Sequence, residues 1–544
     1  MRLKKLAIIL AFGTLPVLSF AQKDQKTPEN WFNLDFQQDG VMGISTEKAY
    51  QTLLKGRKAT PVIVAVIDGG VDVKHEDLKD VLWINPKDNN DNGKDNDKNG
   101  YINDKYGWNF IGNANGENVN HDNLELTRLI RKYEPKYISV LPSTPLSAAE
   151  RREFVAYQGM VSEYAKKLEE AQFGEMNYVK LKDQLEIIFK KIGKDASTLT
   201  LADIEAYSPA NDQEKMALRI AKRGIQEEKG SVSQFYTQLG EAATYYGDQV
   251  KYHLNKEFDP RHIIGDNYDD ATERYYGNAD VTGPDAEHGT HVAGIIGAKR
   301  NNNIGINGVA DQVRIMSVRT VPNGDERDKD VANAIRYAAE NGAKVINMSF
   351  GKSYAYNKKA VDDAVKFAIS KDVLLVHAAG NDGQDVDIHK NFPTKYYTDS
   401  LDAIQGEADA WITVGASGLY QDDNLVADFS NYGYKTVDVF APGVKINSTM
   451  PGSLYKEQQG TSMASPVVAG LAAMIRSYYP QLTAKETKDI IMKSVVKVDK
   501  KVTIKAEDGS KKKVYLDEIS VTGGVVNAYQ AIAEADKYLS QKKK

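Results

Sequence analysis

Val62-Ile63-Val64-Ala65-Val66-Ile67-Asp68 is an unbroken apolar run that ends in a carboxylate. Continuous β-branched residues, without the alternation of a half-exposed strand, are typical of a strand buried on both faces of a parallel sheet. The run therefore predicts such a strand, with Asp68 at its carboxyl end. An aspartate in that place is commonly a cap or turn residue, but a buried one can also accept a hydrogen bond from an imidazole and fix its tautomer.

Downstream of this strand, from about residue 286, short apolar runs alternate with helical patterns. The apolar runs are Val313–Val318, Ala343–Met348, Val373–His377 and Ala410–Val414. Helical patterns at Asp330–Asn341 and Asn357–Lys371 separate the first three runs. This rhythm implies βαβ crossovers, and it predicts an α/β fold in which helices cover both faces of a mostly parallel sheet. A polar hairpin at Lys500–Tyr515 and a closing helix at Val526–Leu539 are expected to follow.

A mostly helical insert interrupts this α/β pattern. Between residues 122 and 256, apolar residues stand at helical spacing among dense Lys and Glu, as in Ser147–Lys167 and Asn177–Ile192. Such an insert could cap a cleft, mediate assembly or serve as a solvated spacer. The predicted parts are a lead-in over 22–61, an α/β domain over 62–121 and 257–539, the insert over 122–256 and a basic tail over 540–544.

The first 21 residues have the pattern of a signal peptide. Three basic residues among the first five precede the apolar stretch Leu6–Leu18, and Ser19-Phe20-Ala21 offers a cleavage site. The apolar stretch is short for a membrane span and Pro16 interrupts it, although an uncleaved anchor helix is the alternative. We therefore expect export to the periplasm or the extracellular medium, with no membrane contact after cleavage.

The composition is that of a globular protein, since 41% of the 544 residues are hydrophobic and 27% are charged. The formal net charge of -5 gives no reason to expect nucleic acid or an anionic membrane as a partner. The chain has no cysteine, which excludes disulfides, thiolate nucleophiles and cysteine-ligated metal sites. The oligomeric state stays open.

Two histidines stand among small residues in His288-Gly289-Thr290-His291-Val292-Ala293-Gly294. The small residues let the start of a helix lie close to neighbouring backbone, so His288 at its mouth fits a general base held near a substrate. His291, one turn further in, is expected to have a structural role. Metal ligation by the two histidines is the competing interpretation, but their spacing of three, without an intervening Glu, does not match the zinc-protease pattern.

A serine stands before a predicted helix in Gly460-Thr461-Ser462-Met463-Ala464-Ser465-Pro466. Because proline suits the first turn of a helix, the pattern predicts a helix that begins just after Ser462. The hydroxyl would then face the positive end of the helix, which favours a developing oxyanion nearby. The alternative is that Ser462 is simply an N-cap.

In the order Asp68, His288, Ser462, these segments closely resemble the three signatures of the subtilisin-like serine peptidases, or subtilases. By this resemblance Ser462 would attack the scissile carbonyl, His288 would transfer the proton and Asp68 would orient His288. The resemblance covers about residues 63–108 and 284–535, which makes the α/β domain a peptidase domain. It implies a serine endopeptidase that acts on proteins or peptides and needs no cofactor for the chemistry.

Two further segments resemble parts of the same family. Ala378-Ala379-Gly380-Asn381-Asp382-Gly383 resembles its oxyanion loop, which gives Asn381 the role of amide donor and places Ala379 and Gly380 beside the substrate. The alternative is an Asn in a left-handed turn before Gly383. Ser349-Phe350-Gly351 resembles the strand on which the substrate backbone docks.

An Asp/Asn/Gly-rich stretch fills residues 88–100. Asp95, Asp97 and Asn99 match the opening of an EF-hand loop, but Tyr106 stands where the bidentate Glu belongs, so the loop is not an EF-hand. Hard oxygen ligands at alternate positions still suit Ca²⁺, and Asp104 could complete the site. We therefore expect a structural Ca²⁺ ion here, and an Asx-rich turn is the alternative.

Two other classes of protein are alternatives to an enzyme. A catalytically silent subtilase fold would lack one of the triad or oxyanion residues, and all four are present. A calcium-dependent adhesion protein would repeat its Asp/Asn motif, and no repeat is found. For the enzyme, the acidic segment Gly324-Asp325-Glu326 is expected to rim a distal substrate pocket and to favour basic side chains weakly.

Overall fold

The computed structural model describes residues 27–227, 230–399 and 402–542, so the predicted signal peptide lies outside the described residues. The chain divides into two compact units, one formed by Lys166–Val250 and one by Thr27–Ala165 together with Lys251–Lys544. In the described ranges, no helix has the length and apolar character that a membrane span requires.

The helices are α1 (Phe36–Asp39), α2 (Thr46–Gln51), α3 (Glu125–Tyr137), α4 (Ala148–Ile192), α5 (Leu201–Ala206), α6 (Asp212–Glu227), α7 (Val232–Asp248), α8 (Arg261–Ile264), α9 (Glu287–Gly297), α10 (Asp328–Glu340), α11 (Lys358–Ser370), α12 (Thr461–Tyr478), α13 (Ala484–Lys493) and α14 (Ala528–Lys542). The strands are β1 (Val62–Asp68), β2 (Gly107–Asn109), β3 (Val313–Arg319), β4 (Val345–Met348), β5 (Leu374–Ala378), β6 (Tyr396–Thr398), β7 (Ile404–Glu407), β8 (Trp411–Ser417), β9 (Val439–Pro442), β10 (Ile446–Met450), β11 (Leu454–Gln458), β12 (Val496–Lys497), β13 (Val502–Lys505), β14 (Lys511–Val514) and β15 (Gly524–Val525).

The larger unit contains a nine-stranded sheet in the order β12-β15-β9-β8-β5-β4-β1-β3-β2. Its neighbouring strands are parallel, except that β12 and β15 are antiparallel. Strand β1 is buried on both faces: Val64 and Val66 pack in one core with α9 and α12, whereas Ala65 and Ile67 pack in a second core with α10 and α11. The predicted α/β fold, with helices on both faces of a mostly parallel sheet, is confirmed.

The lead-in is built into the core of the larger unit. Trp31 and Phe32 are fully buried in the same apolar core as one face of β1. The indole N–H of Trp31 donates to the Lys445 carbonyl oxygen at 3.0 Å, and the Asn527 amide donates to the Ser45 hydroxyl at 2.8 Å. Removing this segment would therefore open the core, so the described part of the lead-in is a structural element.

The smaller unit is helical and has its own apolar core, in which Leu185, Ile188 and Ile204 are fully buried. Helix α4 is one continuous helix of 45 residues, of which 166–192 belong to this unit, and it includes nearly all of both segments that the sequence predicts as helical. The linking residues 168–176 are mostly strong helix formers, and the ring of Tyr246 packs where Gly174 lacks a Cβ.

The predicted insert and the smaller unit have different bounds. Residues 122–165 and 251–256 belong to the larger unit, so only 166–250 forms a separate compact body. The predicted hairpin is confirmed, because β13 and β14 pair antiparallel across Asp508-Gly509. Helix α14 extends to Lys542, into the segment predicted as a basic tail. The division into functional domains stays a prediction.

Candidate active site

Three of the predicted site residues lie where strands and helices meet at the carboxyl edge of the sheet. Asp68 is the last residue of β1, His288 is the second residue of α9, and Ser462 is the second residue of α12. Helix α9 begins directly against the end of β1, since a Cβ on Gly289 would lie 2.1 Å from the Gly70 carbonyl oxygen and 3.1 Å from Asp68 Oδ1. The missing side chain at 289 therefore lets His288 approach Asp68.

Asp68 and His288 form a close charged pair. His288 Nδ1 lies 2.8 Å from Asp68 Oδ1 and 3.0 Å from Oδ2, and Oδ1 also accepts the backbone N–H of Gly69 at 2.7 Å. Burial works against protonation of the imidazole, but the charge of Asp68 and the hydrogen bond to it outweigh this effect and raise the pKa of His288 above 6.5. The His288 side chain keeps 44% of its surface exposed, and its Nε2 forms no hydrogen bond with another described residue.

Ser462 lies inside the first turn of α12, and the prediction that the helix begins after it is wrong. The N-cap is Gly460, and Pro466 falls in the second turn. Because Pro466 has no N–H, the Ser462 carbonyl oxygen lacks its usual helical partner, and the Ser349 hydroxyl donates to it instead at 2.9 Å. The Ser462 hydroxyl donates to the Ser349 carbonyl oxygen at 3.1 Å, rather than to His288 or to its own helix. Ser462 is therefore not an N-cap.

The Asn381 amide is oriented by Thr461. Its Oδ1 accepts the backbone N–H of Thr461 at 2.8 Å and the Thr461 hydroxyl at 3.0 Å. A Cβ on Gly460 would lie 3.5 Å from Asn381 Nδ2 and 3.6 Å from the Ser462 nitrogen, so these two donors flank one small space. Neither donates to another described residue. The backbone of Asn381 is not in the left-handed region, whereas Gly380 and Gly383 have positive φ angles. Asn381 is therefore not the left-handed residue of a turn before Gly383.

A slot one strand wide opens beyond the end of β1. Strand β1 stops at Asp68, whose carbonyl oxygen accepts the N–H groups of Thr320 and Val321 at 2.9 and 3.2 Å. The chain continues from its neighbours, from β3 as residues 320–325 and from β4 as residues 349–352. We call the space between these two continuations the slot. Where β1 lies between them, β3 and β4 are separated by two strand spacings, about 10 Å, so the end of β1 leaves room for one added strand.

The slot has free hydrogen-bonding edges. Each wall is already paired along its outer edge, and the pairing partners are residues 120–122 for Asn323 and Phe392 for Lys352. Gly324 and Gly351 stand next to these paired residues, on the two sides of the slot. There, neither glycine forms a hydrogen bond with another described residue.

The predicted substrate residues follow two neighbouring strands. Ser349, Phe350 and Gly351 follow β4 and form one wall of the slot, whereas Ala379 and Gly380 follow β5, on the far side of that wall. Phe350 is fixed by His377, whose Nε2 lies 2.8 Å from the Phe350 carbonyl oxygen. Ala379 and Gly380 are fixed by Asn431, whose amide donates to the Ala379 carbonyl oxygen at 2.9 Å and whose N–H donates to that of Gly380. Asn431 stands in Phe429–Gly433, a segment that also resembles the family and for which a structural role is expected.

Two expectations about neighbouring residues have different outcomes. His291 is structural as predicted: it is fully buried, its Nε2 donates to the Lys456 carbonyl oxygen at 3.0 Å, and burial lowers its pKa to about 4. The expected acidic rim at 325–326 is wrong for Glu326, because its side chain is buried. Burial also raises the pKa of Glu326 above its usual range.

The Asp/Asn/Gly-rich stretch at residues 88–100, called the acidic loop below, brings together some of the predicted calcium ligands. Carboxylate oxygens of Asp88, Asp95 and Asp97 lie within 4.8 Å of one another. Asn99 and Asp104 are instead engaged in hydrogen bonds, Asn99 donating to Asp104 at 2.9 Å and Asp104 also accepting from Tyr337 at 2.7 Å. Asp97 Oδ1 is buried without a hydrogen-bond partner. Three converging carboxylates with one orphaned oxygen fit a hard divalent cation such as Ca²⁺.

Comparisons with known proteins identify the family. The family model described as "Subtilase family" matches residues 210–515. A thermophilic serine proteinase of Bacillus sp. (strain AK1) is 44% identical over 191 residues, which are 35% of this chain and 42% of that protein. Thermitase of Thermoactinomyces vulgaris is 40% identical over 191 residues, 35% of this chain and 61% of that protein. The cell wall-associated protease of Bacillus subtilis (strain 168) is 32% identical over 275 residues, 48% of this chain and 28% of that protein.

The chain belongs to the subtilase family, because the family model matches more than half of its residues. The matched residues include His288, Asn381 and Ser462, whereas Asp68 lies before them. Each match to these three relatives spans less than two thirds of the relative's own length.

Proposed function

We propose that this chain is an exported serine endopeptidase that hydrolyses peptide bonds through an acyl-enzyme on Ser462. One juxtaposition carries the proposal: the Asp68–His288 pair and the reciprocal hydrogen bonds of Ser462 and Ser349 form at the carboxyl ends of β1 and β4, which are adjacent strands. An imidazole with a raised pKa and a helix-borne hydroxyl at one sheet edge suit acyl transfer.

In the proposed reaction, Ser462 Oγ attacks the carbonyl carbon while His288 Nε2 takes the hydroxyl proton. For this step the hydroxyl turns away from the Ser349 carbonyl oxygen. The tetrahedral intermediate then breaks its C–N bond, and His288 returns the proton to the leaving amine. In the second half of the reaction His288 takes a proton from water, which attacks the ester carbonyl carbon. The C–O bond to Ser462 then breaks, and His288 returns the proton to Ser462 Oγ. Asp68 holds Nδ1–H throughout, so that Nε2 is the basic nitrogen.

The negative charge that develops on the carbonyl oxygen needs preorganised donors. Asn381 Nδ2 and the Ser462 N–H face the same small space beside Gly460, and no described residue uses them. The N-terminus of α12 adds the positive end of its dipole. We assign this space as the oxyanion hole.

We expect Asn381→Ala to lower kcat by about 10²–10³, because the variant loses one oxyanion donor while the triad stays intact. The KM of a peptide substrate should change little, since the donor acts on charge that develops in the transition state. Steady-state kinetics with a chromogenic peptide measure both constants. Asn424→Ala, at an exposed loop position, is the matched control. An unchanged kcat in Asn381→Ala would remove Asn381 from the oxyanion hole.

The substrate is expected to enter the slot as an extended peptide and to add a strand between its walls. Gly324 and Gly351 would pair with its backbone, and Ser349, Phe350, Ala379 and Gly380 would line the position next to the cut. Pairing through backbone groups accepts many sequences, which suits an endopeptidase acting on unfolded proteins or peptides. The pattern of residues 1–21 supports export to the periplasm or the extracellular medium.

The acidic loop is proposed to bind a structural Ca²⁺ through Asp88, Asp95 and Asp97. No step of the proposed chemistry involves this ion. Its contribution is to neutralise three carboxylates, with which no Lys or Arg of the described residues forms an ion pair.

We expect EDTA to lower the thermal midpoint of the wild-type protein and to lower that of Asp97→Asn less. An ion present at 100 times its Kd would stabilise the folded state by about 2.7 kcal/mol. Thermal unfolding with and without added Ca²⁺ measures this difference. Asp508→Asn, in the exposed hairpin turn, should keep the full wild-type response. If Asp97→Asn responds as strongly as the wild type, the ion does not bind in this loop.

Digestion of an unfolded protein tests the proposed function directly. The purified chain should cut internal peptide bonds and release one new α-amine per cut, which amine labelling counts. A fluorophosphonate should abolish this activity. A folded preparation that produces no new amine would support a catalytically silent subtilase fold instead.

A further inference from the structure

The strongest feature outside the proposed catalytic groups is a buried lysine at the end of the slot. Lys352 directly follows Gly351, yet its side chain is only 1% exposed. Its ammonium lies 2.6 Å from Glu125 Oε2, 2.7 Å from Asp328 Oδ1 and 2.7 Å from the Glu326 carbonyl oxygen. All three of its protons therefore have acceptors.

Two of these acceptors, on Glu326 and Asp328, lie just beyond the opposite wall in the chain. Lys352 belongs to the wall that continues β4, whereas Glu326 and Asp328 belong to the chain that continues β3 into α10. The lysine side chain therefore links the two walls.

A second set of contacts fixes the opposite end of this link. Glu125, in α3, is itself held by Arg128 through hydrogen bonds of 3.0 and 2.9 Å. Arg128 also donates to the Asp325 and Glu326 carbonyl oxygens, at 3.1 and 3.2 Å. The first helix of the predicted insert is thus bound to the same wall that carries Gly324.

We infer that Lys352 is a positioning residue that sets the width of the slot and thereby the affinity for extended peptides. Burying a charge pair is a poor way to gain stability, because desolvation costs about as much as the pair returns. Three short bonds, two to the chain beyond the opposite wall and one to α3, do fix a distance, however. An added strand needs both walls at hydrogen-bonding distance at once, so a small change in width would weaken binding. This inference rests on the proposed docking of substrate in the slot.

Two variants test the link. Lys352→Met removes the link but leaves the Asp328 carboxylate without its cation. The double variant Lys352→Met/Asp328→Asn removes the link and that buried charge together. For either folded variant, we expect the KM of a peptide with at least four residues before the cut to rise about tenfold, the equivalent of 1.4 kcal/mol. Its kcat should fall less than about twofold, since the triad and oxyanion donors are untouched. Lys352→Arg, which keeps the charge, should restore part of the affinity. Glu47→Gln/Arg300→Met removes an ion pair elsewhere in the larger unit and is the control.

Peptide binding to an inactive protein separates this inference from the proposed function. In the Ser462→Ala background, a fluorescent hexapeptide should bind about tenfold more weakly when Lys352 is replaced. If the wild-type protein hydrolyses no peptide but its peptide affinity still depends on Lys352, the inference stands and the proposed function is overturned. Equal affinities with and without Lys352, or no peptide binding at all, would overturn the inference.

Discussion

Ser462→Ala should lower the kcat for peptide hydrolysis by about 10⁶, the size of the loss that the corresponding change causes in subtilisin, a relative in the same family. The variant lacks the atom that forms the acyl-enzyme, so no other group can take over its step. Steady-state and long-term product assays measure the residual rate.

The fold should survive this change. The Ser462 hydroxyl makes one hydrogen bond, to the Ser349 carbonyl oxygen, so its loss should cost about 1 kcal/mol of unfolding free energy. Ser477→Ala is the matched control on the same helix, where the hydroxyl donates to the Met474 carbonyl oxygen. Ser477→Ala should keep its activity. A Ser462→Ala protein that is folded and still active would disprove the acyl-enzyme.

Asp68→Asn should lower kcat by about 10⁴, because the amide favours the wrong tautomer of His288. It should also move the pH profile. The general base works as a neutral imidazole, and Asp68 raises the pKa of His288 above 6.5. Wild-type kcat/KM should therefore rise with pH through a pKa above 6.5, and this limb should move to lower pH in Asp68→Asn.

The control for this prediction is Asp72→Asn, four residues further along the chain. Asp72 accepts backbone N–H groups of Lys74 and Gly452 and does not contact His288. Its substitution should leave the acid limb in place. An acid limb that is the same in wild type and Asp68→Asn would show that Asp68 does not act on His288.

Much of the fold follows from local pattern. The apolar run at 62–68 has side chains that suit both faces of a covered sheet, and the alternating segments after 286 require crossover helices. The start of α12 could not be predicted in this way. Pro466 is tolerated in the second turn only because Ser349, distant in sequence, satisfies the Ser462 carbonyl oxygen.

The site shows the same division between local and distant information. Local motifs of a few residues were enough to predict the four proposed catalytic residues, Asp68, His288, Asn381 and Ser462. The slot could not be predicted from a local motif, because it forms where β1 ends between the chains that follow β3 and β4. The burial of Lys352 could not be predicted either. A lysine after a glycine suggests a solvated loop, and the ion-pair partners that bury it are 24 and 227 residues away in the chain.

The central claim is that Ser462 is an activated nucleophile, and labelling with a fluorophosphonate tests it most directly. The purified protein is labelled, digested and mapped by mass spectrometry, with Ser462→Ala and Asp68→Asn treated alongside. We expect one label per chain on the peptide that contains Ser462, none in Ser462→Ala, and much slower labelling in Asp68→Asn. A folded wild-type protein that stays unlabelled, or that carries its label on another residue, would contradict the account.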